Sequence, residues 1–295
     1  MNNLEKTKCI ITSASSKFFP SLINMLGSLH TNYPNHPKVY VYDIGLFYTF
    51  RKELEKIEWV EVLDIPHFLP FWRACYTWKT YIFTKPLADL NFYMDAGCQI
   101  LKPLDGIFSE VDSDGYFTVD QDVKGIKMIP IDYIKIFNID DATLNENAIT
   151  AGIFGFKKSG SIAKNLDDMF EYAKKGYCLG FSKTELWKNK GVNKTNYVRD
   201  CEYFRHDTTL LTIFARKNIP NYHSHSGKQY AGWVSPNDHK DQVIWNLRMN
   251  YAHLDFIDGK LLNKKYNIHS LINRIYIKIF LLLKKLRMQI KKNAK

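Results

Sequence analysis

The chain has 295 residues, 45% of them hydrophobic, enough to bury a sizeable core in one large domain or two closely joined lobes. Its formal charge of +11 sits entirely in residues 260 to 295, which hold eleven Lys or Arg and no Asp or Glu, so the neutral body does not offer a basic groove for nucleic acid. Five cysteines, an odd number with no Cys-x-x-Cys pair, suggest neither a disulfide framework nor a zinc cluster and point to a reducing compartment.

In chain order, the start MNNLEKTKCIITSAS has only a short apolar run and does not read as a secretory signal, so residence in the cytoplasm is expected. KCIITSASS predicts a first strand entering a small-residue loop, Thr12 to Ser16. FFPSLINMLGSLHTNY predicts the following helix, apolar at Leu22, Ile23, Leu26 and Leu29. KVYVYDIGL is a second strand closing on Asp43, RKELEKIEW a polar helix, WVEVLDI a third strand and YTWKTYIFTKPL a helix. NFYMDAGCQI then predicts a buried strand that ends in one carboxylate, Asp95.

This alternation implies an α/β fold, a mostly parallel Rossmann-type sheet with helices on both faces. In such sheets ligands lie beyond the carboxyl ends of the strands, where Asp43, Asp95 and the loop after the first strand are expected. Further on, YFTVDQD and AITAGIFGFKK contain strand-like runs and SIAKNLDDMFEYAKKG predicts a helix. Residues 188 to 196 read as a loop, and RHDTTLLTIFARKN as a helix with His206 and Asp207 in its first turn. No boundary stands out before Gly259. Residues 1–110 are therefore expected to form one half of the domain, 111–259 the other half, and 260–295 a separate tail.

That tail predicts an amphipathic basic helix. Ile275, Ile279, Leu282, Leu283, Leu286 and Ile290 fall on one arc, and most of the basic residues fall opposite, with Ile277, Leu281 and Arg287 as exceptions. Its longest uncharged run is far below the ~20 residues that span a bilayer. It is expected to lie on an anionic membrane surface at the inner face of the cell membrane.

ITSASSKFFPSLINMLGSLH, VYDIGL, YTWKTYIF and FYMDAG, followed more weakly by ITAGIFGFKKSG and RHDTTLLTI, resemble in this order the nucleotide-sugar-dependent glycosyltransferases of the GT-A fold. More narrowly, the chain resembles a poorly characterised family of predicted glycosyltransferases. The resemblance implies a nucleotide-sugar donor, a UDP-sugar foremost, and a glycan or glycolipid acceptor. It also implies Mn²⁺ or Mg²⁺ bridging the donor phosphates at Asp95. The family's Asp-x-Asp pair reads here Asp95-Ala96-Gly97. One acid is missing, and Gly97 instead removes a side-chain obstacle to close approach of the sugar.

Around the donor, Thr12, Ser13, Ala14 and Ser15 are expected to surround base and ribose, and Asp43 is either a ribose or base acceptor or a turn-forming residue before Gly45. Lys79 is either the cation that related enzymes place near the donor or an exposed helix lysine beside a core Trp78. His225 is a candidate second metal ligand, with His223 weaker, in a stretch faintly similar to a His-x-x-Gly-x-x-Lys-Pro-Trp element; the alternative is a polar surface loop. Asp207 is the catalytic candidate, as a base toward the acceptor hydroxyl or as a stabiliser of an oxocarbenium-like carbon, and otherwise a helix N-terminal carboxylate. Gly152 and Trp233 are placed at the acceptor, with Gly152 alternatively marking a bulge. Two function classes remain open: a glycosyltransferase acting on a lipid-linked or cell-surface glycan, and a catalytically inactive membrane-bound scaffold that lacks a complete metal site.

Overall fold

The computed structural model describes residues 6–66, 75–178, 201–202, 204–231 and 240–247, together with helical positions 275, 278, 279, 282, 283 and 286. The first strands and helices follow the apolar pattern of the sequence. β1 (Lys8–Ala14) leads through a short 3-10 turn into α1 (Phe19–Asn32), whose Pro20 in the first turn lacks only an amide that the helix does not use. Then come β2 (Val39–Asp43), α2 (Tyr48–Leu54), β3 (Val60–Asp64), α3 (Thr77–Phe83), β4 (Leu90–Met94) and β5 (Cys98–Ile100).

The second half adds α4 (Asp105–Asp114), β6 (Tyr116–Lys124), the short helices α5 (Gly125–Met128), α6 (Ile131–Phe137) and α7 (Asp141–Asn145), and β7 (Asn147–Lys157). α8 (Ser161–Tyr172), α9 (His206–Arg216), α10 (Gly227–Tyr230) and β8 (Ile244–Asn246) follow. The sequence pattern gave no sign of α4 or α10.

Six strands form one sheet in the order β3-β2-β1-β4-β7-β6, and β5 and β8 form a separate antiparallel pair. β1 to β4 are mutually parallel; β7 runs against both β4 and β6. The sheet is thus mostly parallel, with strands from both expected halves in one layer. Its two faces carry separate cores. α1, α2 and α4 cover the face that holds Ile10, Phe92 and Phe117. α3, α6, α8 and α9 cover the face that holds Ile11, Tyr93 and Phe154. The alternation of Phe92 and Tyr93 follows from the two-residue period of a strand. β4 at the centre is buried along its whole length, and Asp95, the next residue, is where the chain first meets solvent.

Among the described residues no helix is long and apolar enough to cross a membrane. All five cysteines are free, four of them buried.

Candidate active site

Asp95 leaves the carboxyl end of β4 and turns at once. Its carbonyl accepts the amide of Cys98 at 3.0 Å, with Ala96 buried and Gly97 half-buried inside the turn. Its own amide donates to the Gly152 carbonyl of β7 at 2.8 Å, which fixes the direction of the side chain. The carboxylate points to the face covered by α3 and α9. There Lys79 Nζ donates to Oδ1 at 2.9 Å, and the Tyr93 hydroxyl donates to the same oxygen at 2.9 Å. Tyr93 lies two residues before Asp95 on the strand, hence on the same face. The Ser13 hydroxyl sits 2.9 Å from that of Tyr93, which links β1 to the cluster.

Lys79 also reaches Asp207 Oδ2, at 3.2 Å, so one ammonium bridges two carboxylates. The side chains of Lys79 and Asp207 are 5% and 8% exposed, whereas Asp95 keeps 43% of its side chain in solvent. Burial lowers the pKa of the lysine, but Asp207 and Asp95 outweigh it and hold that pKa well above the ordinary value. Burial pushes Asp207 upward, opposed by Lys79 and assisted by the Asp95 charge. The Tyr93 hydroxyl is pushed well up by burial and then by Asp95, so it stays protonated and donates. The cluster sets one ammonium between two carboxyl groups, and its open end is Asp95.

The helices that supply Lys79 and Asp207 both begin with a strained residue. Tyr76, before α3, has φ +56°, and His206, the first residue of α9, has φ +42°. Neither is glycine, and a left-handed conformation costs such residues about 1–3 kcal/mol unless the surroundings hold it. Their rings pack at a centroid distance of 5.7 Å, and His206 Nδ1 is 2.8 Å from the Cys178 carbonyl. Both helices thus begin at left-handed residues whose rings touch, and both bring a charged side chain, Lys79 and Asp207, to the same spot.

The other predicted positions fall unevenly. Thr12, Ser13 and Ala14 belong to β1 itself, because parallel pairing with β2 continues to Ala14; Thr12 and Ala14 are fully buried, and only Ser15 opens the loop. Asp43 forms the turn. Its Oδ1 accepts the amides of Gly45 and Leu46 at 2.8 and 2.7 Å, and Oδ2 pairs with Arg51 at 3.2 Å, so both oxygens are engaged inside the protein. Lys79 is buried and is not an exposed helix lysine. Gly152 adjoins Asp95, where a Cβ would lie 2.8 Å from Oδ2. Trp233 lies outside the described residues. Sequence reasoning passed over Tyr93 and Tyr76, although Tyr93 was recoverable from strand periodicity.

Asp95 and His225, expected to share one ion, are not brought together. His225 bridges to Val119 beyond β6, and its ring stacks on Phe117 at 4.7 Å, on the α4 face of the sheet. Three strand spacings of about 4.8 Å separate it from β4, and the carboxylate of Asp95 faces the other way. For the Mn²⁺ or Mg²⁺ expected at Asp95, the described residues do not form a ligand set. Oδ1 already takes an ammonium and a phenolic hydroxyl. Among the described residues, the group of three His, Cys, Asp or Glu close enough to share an ion is Glu110, His223 and His225.

A mostly parallel sheet flanked on both faces, with an acid at the exit of its central strand, defines a GT-A-like fold. Among solved structures the chain is similar to an apo structure of the bifunctional glycosyltransferase WbbM, at 10% identity over 84% of this chain and 47% of that one, with a TM-score of 0.51. The chain thus spans about half the length of that enzyme, and the likeness establishes the fold. Two structures of the galactosyltransferase LgtC, one with donor and acceptor sugar analogues and one of an active-site mutant, align at 12% identity over 81% of this chain and 86% of theirs, with TM-scores of 0.46 and 0.45. No protein-family pattern and no curated protein matches the sequence.

Proposed function

We propose that the protein transfers a sugar from a nucleotide-sugar donor, a UDP-sugar foremost, to a lipid-linked or cell-surface glycan acceptor at the cytoplasmic membrane face. The observation that carries this reading is the Lys79 bridge between Asp95 and Asp207 at the carboxyl-end rim of the sheet. On this reading the donor lies across the ends of β1 and β4, with Ser15 toward the nucleotide and Asp95 and Gly97 toward the sugar. The acceptor enters from the side of residues 111–259.

Glycosyl transfer builds positive charge on the sugar carbon as the diphosphate departs. A preorganised pair of carboxyl groups bridged by one ammonium stabilises that carbon and needs no rearrangement during the reaction. Asp207, buried and ion-paired, serves this electrostatic role better than it would serve as a free proton acceptor. Lys79 bridges both acids, and Tyr93 fixes Asp95 Oδ1. The roles of Asp95, Lys79 and Asp207 do not require a metal.

Membrane placement is supported by the tail. Ile275, Ile279, Leu282, Leu283 and Leu286 are helical and 46–60% exposed, and Lys278 is exposed with them. Their spacing is that of one helix face.

Mass spectrometry of UDP-, GDP- and CMP-sugars incubated with the enzyme and water tests the proposal, with EDTA and Mn²⁺ arms. One donor is expected to be hydrolysed, and Asp95→Asn or Asp207→Asn is expected to lower that rate at least about tenfold, 1.4 kcal/mol of barrier. If no donor is hydrolysed and calorimetry detects no binding of UDP, GDP or CMP, the chain is a scaffold and not a transferase.

A further inference from the structure

On the opposite face of the sheet from Asp95, three metal-binding side chains, Glu110, His223 and His225, converge from two elements, with Asp114 beside His223. Glu110 and Asp114 stand one helical turn apart on α4, so both project from one side of the helix. His223 and His225 alternate along the segment that leads into α10, so their side chains share a direction.

The imidazoles present the same nitrogen inward. His225 Nε2 lies 2.7 Å from both Glu110 oxygens, and His223 Nε2 lies 3.3 Å from Glu110 Oε1 and 3.4 Å from Asp114 Oδ2. One ligand atom from each of Glu110, His223 and His225 fits within 4.8 Å of the others. Ligands about 2.0–2.1 Å from a tetrahedral zinc stand roughly 3.3 Å apart, the spacing His223 already keeps from Glu110 and a fraction of an ångström more than that of His225.

We propose that Glu110, His223 and His225 hold a zinc ion that ties α4 to the segment entering α10, with the fourth position left to water. Two imidazoles and one carboxylate form the three-ligand set of a zinc site that keeps one position open. Imidazole nitrogen favours zinc over magnesium or calcium, which prefer all-oxygen sites.

The supports behind the ligands are those a metal site needs. His223 Nδ1 lies 3.2 Å from the Tyr116 hydroxyl, leaving Nε2 free to ligate once Nδ1 carries the proton. The His225 backbone is fixed on both sides: its amide donates to Thr118 at 2.8 Å, and its carbonyl accepts from Asp120 at 2.9 Å. Its ring is held between Phe117, stacked at 4.7 Å, and Tyr230, edge-on at 5.2 Å. A surface hydrogen bond between one His and one Glu does not require two histidines aimed at a single carboxylate. An ion between them does.

The test is independent of donor chemistry. Untagged full-length protein, stripped with EDTA and dialysed, is titrated with ZnCl₂ and passed through gel filtration for metal analysis. One zinc per chain is expected to be retained and to raise Tm, and Co²⁺ in its place is expected to give the intense visible bands of tetrahedral coordination. His223→Ala, whose side chain is half exposed, and Glu110→Gln are each expected to weaken zinc binding at least about tenfold, 1.4 kcal/mol. No retained zinc, equal retention by a His223→Ala/His225→Ala double variant, or an octahedral cobalt spectrum overturns the proposal.

Discussion

Lys79 and Asp207 form a buried ion pair, 3.2 Å from Nζ to Oδ2, in which the lysine also serves a second acid, Asp95. Removing the lysine strands a carboxylate in the core beside another. Lys79→Met is therefore expected to cost about 3–5 kcal/mol in urea denaturation, the range for breaking a buried pair on one side. Lys79→Met/Asp207→Asn removes the uncompensated charge and is expected to recover more than half of that loss, but not donor hydrolysis. A loss below about 1 kcal/mol in the single variant would mean that the pair is solvated.

The same pair makes stability sensitive to alkali. Folded Lys79 holds its proton more tightly than an unfolded lysine, because Asp207 and Asp95 outweigh the cost of burial. Below the unfolded pKa of about 10.4 both states are protonated and the stabilisation is complete. Above it the unfolded chain releases its proton first, so the contribution falls as pH climbs toward the folded value. Unfolding free energy measured from about pH 9 to 11.5, a window that brackets the unfolded pKa, is expected to drop more steeply in the wild type than in Lys79→Met/Asp207→Asn. Parallel curves would count against a charged Lys79.

Gly152 is the counterpart of Asp95 across β4 and β7. A Cβ at this position would meet Asp95 Oδ2 at 2.8 Å and Thr150 Oγ1 at 3.4 Å, while the Gly152 carbonyl still binds the Asp95 amide. Gly152→Ala thus displaces the carboxylate without removing it. Stability is expected to fall by about 1–3 kcal/mol, the usual cost of overpacking. Donor hydrolysis is expected to fall at least about tenfold in kcat, comparable to Asp95→Asn. Unchanged kcat would place the sugar away from Asp95.

Much of this site was legible because it lies on regular elements. The apolar run before Asp95 and the alternation of strands and helices located the rim. The resemblance to GT-A glycosyltransferases pointed to Lys79 and Asp207, each beside a structural alternative, and the two are in contact. Asp43 shows the limit: a carboxylate before Gly45 serves either a ligand or its own turn, and only the amides of Gly45 and Leu46 and the Arg51 guanidinium decide it. His225 shows another. An extended segment displays its periodicity but not the strand it joins, and joining the outer edge of β6 carried it away from Asp95. Its partner Glu110 stands on α4, whose interior Gly106 and several acids gave no clear helical signal, so the two could not be connected from sequence. Tyr76 and His206 owe their backbone strain to contacts between distant segments, which no local pattern records.

The tail separates charge from apolar area in a way that an experiment can exploit. Each basic residue near an anionic surface contributes roughly 1 kcal/mol, and salt screens that term. Burial of the aliphatic stripe is insensitive to salt and amounts to about 25 cal/mol per Å² removed from water. Leu282→Ser/Leu283→Ser/Leu286→Ser keeps every charge but removes three of the exposed aliphatics. It is expected to sediment with anionic phosphatidylglycerol vesicles at low salt and to be released at high salt, whereas the wild type resists release. Truncation after Gly259 is expected to abolish binding at both salt levels and leave donor hydrolysis intact. If the triple Ser variant binds as the wild type does at high salt, the aliphatic face packs on protein and not on lipid.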